Sequence, residues 1–440
     1  MNAILCPLIA LALLAPSTLA QDATPEGFEP LFNGTDLSGW WGAGTEDPRG
    51  WQALDAAALA EKKRASLEDI HAHWSVADGV LVNDGKGLYL TTDRDYGDFE
   101  LRLDYLTVAG ADSGIYLRGI PQVQIWDTTE AGGKWNIGAD KGSGGLWNNP
   151  KGAAGKDPLV HADRPFGEWN AVRIVMVGER VTVWLNDKLV VDHARLDNYF
   201  ARQRPVPRTG PIQLQTHGGE IRWRNVIIRE IDGEEANSIL LAGGPDRERD
   251  EDGRASIFDG KSFEGWAGPV DNYEIEGGTI RCKPGHGGTI YWNEEFSDFQ
   301  VDLQFNLPPG GNNGLAIRYP GQGDTAYVGM CELQVLDDEA EKYAKLDARQ
   351  YHGSVYGQVA SERGYLRKPG EWNVQRVTVK GPWITVELNG SRILHADTSA
   401  VTEFMGDPAK FKGRTRPSGF FGLAGHSDPV KFRDLWIRGL

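Results

Sequence analysis

Imidazoles, guanidinium groups, carboxylates and carboxamides stand at corresponding places in the two halves of this chain. QVQIWD (Gln122–Asp127) answers to ELQVLD (Glu332–Asp337), SGIYLRG (Ser113–Gly119) to NGLAIRY (Asn313–Tyr319), and GPIQLQTHG (Gly210–Gly218) to GFFGLAGHS (Gly419–Ser427). Successive side chains of a β-strand point to opposite faces. With Ile115, Leu117, Val123, Ile125, Ile212 and Leu214 turned to a core, Arg118, Gln122, Gln124, Trp126, Gln213, Gln215 and then His217 share the other face. The second half places Arg318, Glu332, Gln334 and His426 in the same way. An imidazole, a carboxylate and a fixed cation can together move a proton and hold the charge it leaves behind. A solvated outer sheet face would use the same residue types, but their repetition in register favours a shared site. Asp127 and Asp337 fall on the core face under strict alternation. A β-bulge would return them to the polar face, whereas a strand-end cap would leave them where they are. Trp147 and Tyr356, each after a Gly/Ser-rich run, are candidates to stack on a sugar ring.

Other chemistries are missing. The chain has no GxSxG elbow, HExxH pair, P-loop or dinucleotide fingerprint. No Cys/His cluster with zinc spacing occurs. Cys282 and Cys331 both lie in the second half. Because Cys282 shares a strand face with Ile280, buried free thiols are expected rather than a bridge. A formal net charge of −16 argues against nucleic acid and anionic lipid as partners.

The elements that must position these groups are strands. The 56 glycines and many short alternating runs, such as Glu100–Leu106, Val172–Val177 and Ile384–Leu388, indicate an all-β protein. Further matched blocks, LFNGTDLSGW (Leu31–Trp40) with IFDGKSFEGW (Ile257–Trp266) and GEWN at 167 and 370, show two tandem copies. Each copy is long enough to bury its own core. The expected organisation is a signal peptide over 1–20, a first sandwich over 26–232, a linker over 233–255 and a second sandwich over 256–440. Within the linker, Asn237–Leu241 is apolar enough to pack back on a domain. The first copy carries an insert rich in Ala, Leu, Glu and Lys at about 51–71, which predicts a helix. A shorter helix is expected at 338–345. The apolar stretch Ile4–Ala15 followed by Ser17-Thr18-Leu19-Ala20 predicts export to the periplasm or beyond, with the mature chain starting at Gln21. Nothing else in the sequence is long and apolar enough to span a membrane.

Taken together, LFNGTDLSGW, SGIYLRG, PQVQIWD, GSGGLW, GEWN, and ELQVLD with HGSVYG resemble the 3-keto-disaccharide hydrolase family, once per copy. The resemblance implies two concanavalin/glucanase-like jelly-roll sandwiches acting on glycosides oxidised at C3, with a partner oxidoreductase supplying the 3-keto sugar. In that chemistry His217, His426 or Glu332 takes the C2 proton and Arg118 or Arg318 stabilises the enolate. Asp127 or Asp337 helps the C1 substituent leave, and water then adds. Gln122, Gln124, Gln213, Gln215, Gln334, Trp126, Trp147 and Tyr356 would bind the sugar. A divalent metal is an alternative electrophile. The family pattern has Glu where the first copy has Gln122. A non-catalytic carbohydrate-binding protein and a retaining laminarinase-type glycosidase are the rival readings.

Overall fold

The computed structural model describes residues 24–242 and 254–440; the expected signal peptide and the centre of the expected linker lie outside the described residues. Each copy is a pair of antiparallel sheets closed on one apolar core, as the jelly-roll expectation requires. In the first copy the larger sheet runs, in spatial order, through Lys188–Arg195, Arg180–Leu185, Asn170–Val177, Phe99–Thr107, Ile221–Glu230, Val80–Asn83 and Trp74–Ala77. The smaller sheet orders Trp40–Ala43, Tyr89–Thr92, Gln213–Leu214, Asp112–Leu117 and Ile120–Trp126. Its counterpart in the second copy orders Trp266–Ala267, Gly287–Phe296, Gly419–His426, Asn312–Tyr319 and Cys331–Leu336. Strand alternation does the sorting: Ile115, Val123, Ile125 and Leu214 join Leu101, Leu103, Ile174 and Trp223 in one buried cluster.

The insert of the first copy folds as Pro48–Gln52 and Ala56–His73, started by Asp47 and Asp55 caps. The longer helix docks on the smaller sheet. Ser66 Oγ accepts the Gly42 N–H at 2.8 Å and Asp69 accepts the Leu88 N–H at 2.6 Å. Gly42 is needed for this approach, since a Cβ there would lie 2.8 Å from Ile70 Cγ1. The helix expected over 338–345 is only a single 3-10 turn, Glu341–Tyr343. Asp337 and Asp338 turn inward to accept the Gly310 and His352 N–H groups. Cys282 and Cys331 are buried and unbridged, and burial raises both thiols. Among the described residues no helix is long and apolar enough to cross a membrane.

The seam between the copies differs from a polar tether. Where the linker was expected to begin, Gly233–Ala242 is a helix, because Ala236 and Leu240 bury against Val175 and Val177 of the first copy and Val374 of the second. Asn237 donates to the Trp372 carbonyl at 3.0 Å, and Arg367 donates to that of Gly233 at 2.6 Å. The buried carboxylate of Glu179 accepts the Val206 N–H at 2.7 Å and, across the seam, the Arg392 N–H at 3.0 Å. Arg180 pairs with Glu387, and Arg204 grips Glu362 through two bonds of 3.0 and 2.9 Å. The two copies are thus fused through an apolar helix and buried polar contacts. A specific protease site placed between residues 246 and 250 should give two bands on a denaturing gel and one peak on size exclusion. Leu240→Ala should cost about 2–5 kcal/mol in a melt, the usual range for a buried leucine.

Candidate functional site

Three strands of each smaller sheet build the site. In the first copy Gly114 pairs with Gln124 and Ile115 with Val123, so Asp112, Gln122 and Gln124 lie on the face away from the core. The segment after Gln213–Leu214 brings His217 beside them. His217 Nδ1 lies 2.6 Å from Asp112 Oδ2. The ammonium of Lys134 meets the same oxygen. Gln124 donates to Asp112 Oδ1 at 2.7 Å, and Gln122 donates to Gln124. The result is one string of bonds, from two carboxamides to a buried carboxylate to an imidazole and an ammonium. Burial alone would raise Asp112, but His217 and Lys134 outweigh it and hold the carboxyl below its usual range. The same hydrogen bond, accepted by Asp112, raises His217 against the opposing effect of burial.

The second copy makes the same couple from a different strand. His426 Nε2 lies 3.2 Å from Glu332 Oε1, and this bond raises His426. Gln334 donates to Asn312 at 2.6 Å. The registers align Asp112 with Asn312, Gln122 with Glu332, Gln124 with Gln334 and His217 with His426. Each copy therefore has one carboxylate and two carboxamides at these positions, with the carboxylate moved to the neighbouring strand. Glycine makes the room: a Cβ on Gly314 would lie 2.3 Å from Glu332 Oε1, and one on Gly114 would lie 3.0 Å from Gln122 Cδ. Over Glu332 and His426 opens a cavity of about 260 Å³, walled by Asp324, Tyr327, Tyr343, Gln350 and Tyr356.

Several expected members lie elsewhere. Arg118 and Arg318 do not reach the site. Their backbones are left-handed (φ 54° and 47°), which turns each side chain off the strand pleat. The Arg118 guanidinium is buried, paired with Asp98 at 2.8 Å and donating to the Gly97 carbonyl at 2.8 Å. Arg318 pairs with Asp298 at 3.0 Å and donates to the carbonyls of Ser297, Gly381 and Arg416. Asp127 and Asp337 are strand-end caps, accepting the Gly110 and Gly310 N–H groups at 2.7 and 2.8 Å. No bulge carries them over to the polar face. Trp126 is buried, donates to the Gly142 carbonyl and meets Trp147 edge-on at 5.1 Å, while Lys156 covers the Trp147 ring. Trp126 is thus closed to a sugar, and Trp147 has Lys156 over its ring. Gln213 is spent inside the sheet on Thr91. Gln215 donates to the Tyr116 hydroxyl at 3.4 Å and stands beside Gln122 over Gly114. Tyr356 does line the second cavity. His352 is buried on Gln375, and burial pulls it down to about 4.

Asp112 and Asn312 stand one residue ahead of the matched blocks that begin at Ser113 and Asn313, where one is acidic and the other is not, so the repeat does not mark them. Lys134 sits in a loop without a counterpart in register. Asp324 and Tyr327 come from Tyr319–Met330, where the first copy has only the two-residue turn Arg118-Gly119. Among the described residues no group of three or more His, Cys, Asp or Glu side chains is gathered to hold a metal ion.

Residues 27–229 and 253–438 match the family of 3-keto-alpha-glucoside-1,2-lyase-like domains. A 3-keto-disaccharide hydrolase of Bacteroides thetaiotaomicron is 27% identical over 233 residues, which take in 43% of this chain and 80% of that protein. Two solved structures of candidate glycosyl hydrolases from Parabacteroides distasonis are 25% and 21% identical, with TM-scores of 0.38 and 0.36. They span 42% and 44% of this chain and 99% and 98% of their own.

Both imidazoles owe their raised pKa first to one carboxylate, so removing it should return them toward the ordinary histidine value. In an NMR titration Asp112→Asn should move His217 down and leave His426 in place. Gly314→Ala should do the reverse by pushing Glu332 aside. An unmoved His426 in Gly314→Ala would show that the glycine does not set the position of Glu332.

Proposed function

Because the chain belongs to the family of 3-keto-alpha-glucoside-1,2-lyase-like domains, we propose that it cleaves glycosides whose sugar carries a ketone at C3. One observation carries the reading. In each copy an imidazole is coupled to a single buried carboxylate among carboxamides, on the open face of the smaller sheet. That is the equipment for moving a proton at one carbon. The ring nitrogen not bonded to the carboxylate, Nε2 of His217 or Nδ1 of His426, takes the C2 proton. The carboxylate orients the ring and balances the imidazolium. The C–H electron pair forms a C2–C3 double bond, and the carbonyl pair moves onto O3. When the carbonyl re-forms, the pair shifts to C1–C2 and the C1 substituent departs. With Asp127 and Asp337 spent on backbone caps, the imidazolium is the acid at hand to protonate the leaving oxygen. Water then adds to C1 and a proton returns to C2, which completes a hydrolysis.

The N-terminal apolar stretch supports export to the periplasm or the exterior, and the substrate's ketone calls for a partner oxidoreductase that acts first. The retaining glycosidase reading keeps one specific observation in its favour: Glu332 and Asp324 line the same cavity. It needs two carboxylates about 5–5.5 Å apart and no ketone. A binding module would show a row of exposed aromatics without ionisable partners, whereas Trp126 is buried and Lys156 lies over Trp147.

Incubation with matched plain and 3-keto disaccharides in deuterated water tests the proposal. Cleavage should be confined to the 3-keto substrates, with deuterium at C2 of the released sugar. His217→Ala combined with His426→Ala should lower turnover by about 10²–10⁴, the usual worth of a general base. Cleavage of plain disaccharides, or product without deuterium at C2, would falsify the elimination route.

A further inference from the structure

Elimination leaves one role unfilled. The electron pair that arrives at O3 needs a fixed cation or donor, and such groups are often the largest single contribution in reactions of this type. Arg118 and Arg318 are committed to backbone carbonyls. In the first copy a cation does stand beside the base. The Lys134 ammonium and His217 Nδ1 share one oxygen of Asp112. Two hydrogen bonds to a common oxygen keep those nitrogens within about 5–6 Å of each other, and the basic Nε2 across the ring within about 8 Å of the ammonium. A base about 3 Å from C2 and a donor about 3 Å from the adjacent carbonyl oxygen stand at most about 8 Å apart, a span this pair can bridge. The lysine is also held in place. Its carbonyl accepts the N–H groups of Ile137 at 3.1 Å and Ala139 at 3.2 Å, and Trp135 ties the loop to the Thr128 carbonyl. Its side chain remains partly open to solvent, so a ligand can reach it. No lysine or arginine lines the cavity of the second copy.

We propose that Lys134 is the electrophile of the first copy, with its ammonium hydrogen-bonded to the C3 carbonyl oxygen of the substrate while His217 removes the C2 proton. The inference rests on the 3-keto reading above. Lys134 donates a hydrogen bond to the oxygen as negative charge gathers there and releases it when the carbonyl re-forms. His217 is the neutral imidazole before the step; moving the proton from C2 to it creates one positive charge on the ring, beside Asp112, and one negative charge at O3, beside Lys134, so the site gains no net charge. The second copy must meet the same charge with neutral donors such as Tyr327, Tyr343, Tyr356 or Gln350.

The test uses the full chain carrying His426→Ala, so that only the first copy can react. Two ketones serve as probes: a 3-keto-glucoside, and 3-keto-1,5-anhydroglucitol, which has no group to lose from C1. The second reports enolisation alone, as exchange of the C2 proton for deuterium. Lys134→Met should slow both exchange and kcat by about 10²–10³, as loss of one oxyanion donor does, with KM within a few-fold and the melting temperature unchanged. Lys134→Arg should restore part of the exchange rate. Exchange at the unaltered rate in Lys134→Met, or a rise in KM with kcat kept, would overturn the electrophile role while leaving the 3-keto reading intact. Failure of the unsubstituted protein to cleave any 3-keto-glucoside would instead remove that reading. If His217→Ala left turnover intact, with all activity residing in the second copy, Lys134 would have no part in it.

Discussion

A buried guanidinium has five donors and no means of losing its charge, so the structure around it must supply partners. Arg118 obtains them from Asp98 and the Gly97 carbonyl, and Asp98 in turn accepts the Gly178 N–H at 2.9 Å. Three parts of the molecule meet at that carboxylate. Arg118 ends the strand that starts with Asp112. Asp98 precedes the strand Phe99–Thr107 of the opposite sheet. Gly178 lies against Asn389 and Gly390 of the other copy, where a Cβ would be 2.3 Å from the Asn389 oxygen. Removing one partner of a buried pair costs about 3–5 kcal/mol, and here it would loosen both sheets and the seam together. Arg318, Asp298 and Gly381 repeat the arrangement in the second copy.

The site is downstream of that anchor. The Ile115↔Val123 pairing, one residue out of step with Leu117↔Ile120 at the strand end, puts Gln124 across from Gly114 and lets Gln122 lie over the glycine. The carboxylate partner of each imidazole is then buried among carboxamides, while the imidazole itself stays more than 40% exposed. Orientation comes from the dry side and access from the wet side. The copies diverge above this floor. A helical insert flanks the smaller sheet in the first, and the loop Tyr319–Met330 brings Asp324 and Tyr327 over the second.

Much of this could be read from the sequence, because alternation in strands is a strong signal and the repeat supplied a second reading of each block. The sandwich pairs, the apolar faces, the insert helix and the placing of His217, Gln122, Gln124, Glu332 and His426 on one face all follow from it. The arginines did not, because a single left-handed residue ends the alternation and sequence pattern does not report φ. Asp127 and Asp337 could be read either as catalytic acids or as caps, and only the Gly110 and Gly310 amides decide between them. The apolar run Asn237–Leu241 shows that this stretch packs on a domain, but not that it bridges both, because Val175 and Val177 on one side and Val374 on the other are far from it in the sequence.

The exchange of carboxylate between neighbouring strands constrains how such a pair of copies can have diverged. Position 112 is acidic where position 312 is not, and position 332 is acidic where 122 is not. Passing from one state to the other takes two substitutions, in one of two orders. If the acid is lost first, an imidazole is left beside amides alone. If the acid is gained first, two carboxylates share one hydrogen-bonded string, and the like charges raise the proton affinity of one of them. That doubly acidic ancestor keeps a partner for the histidine at every step, so descent through it preserves the couple while its address on the sheet changes.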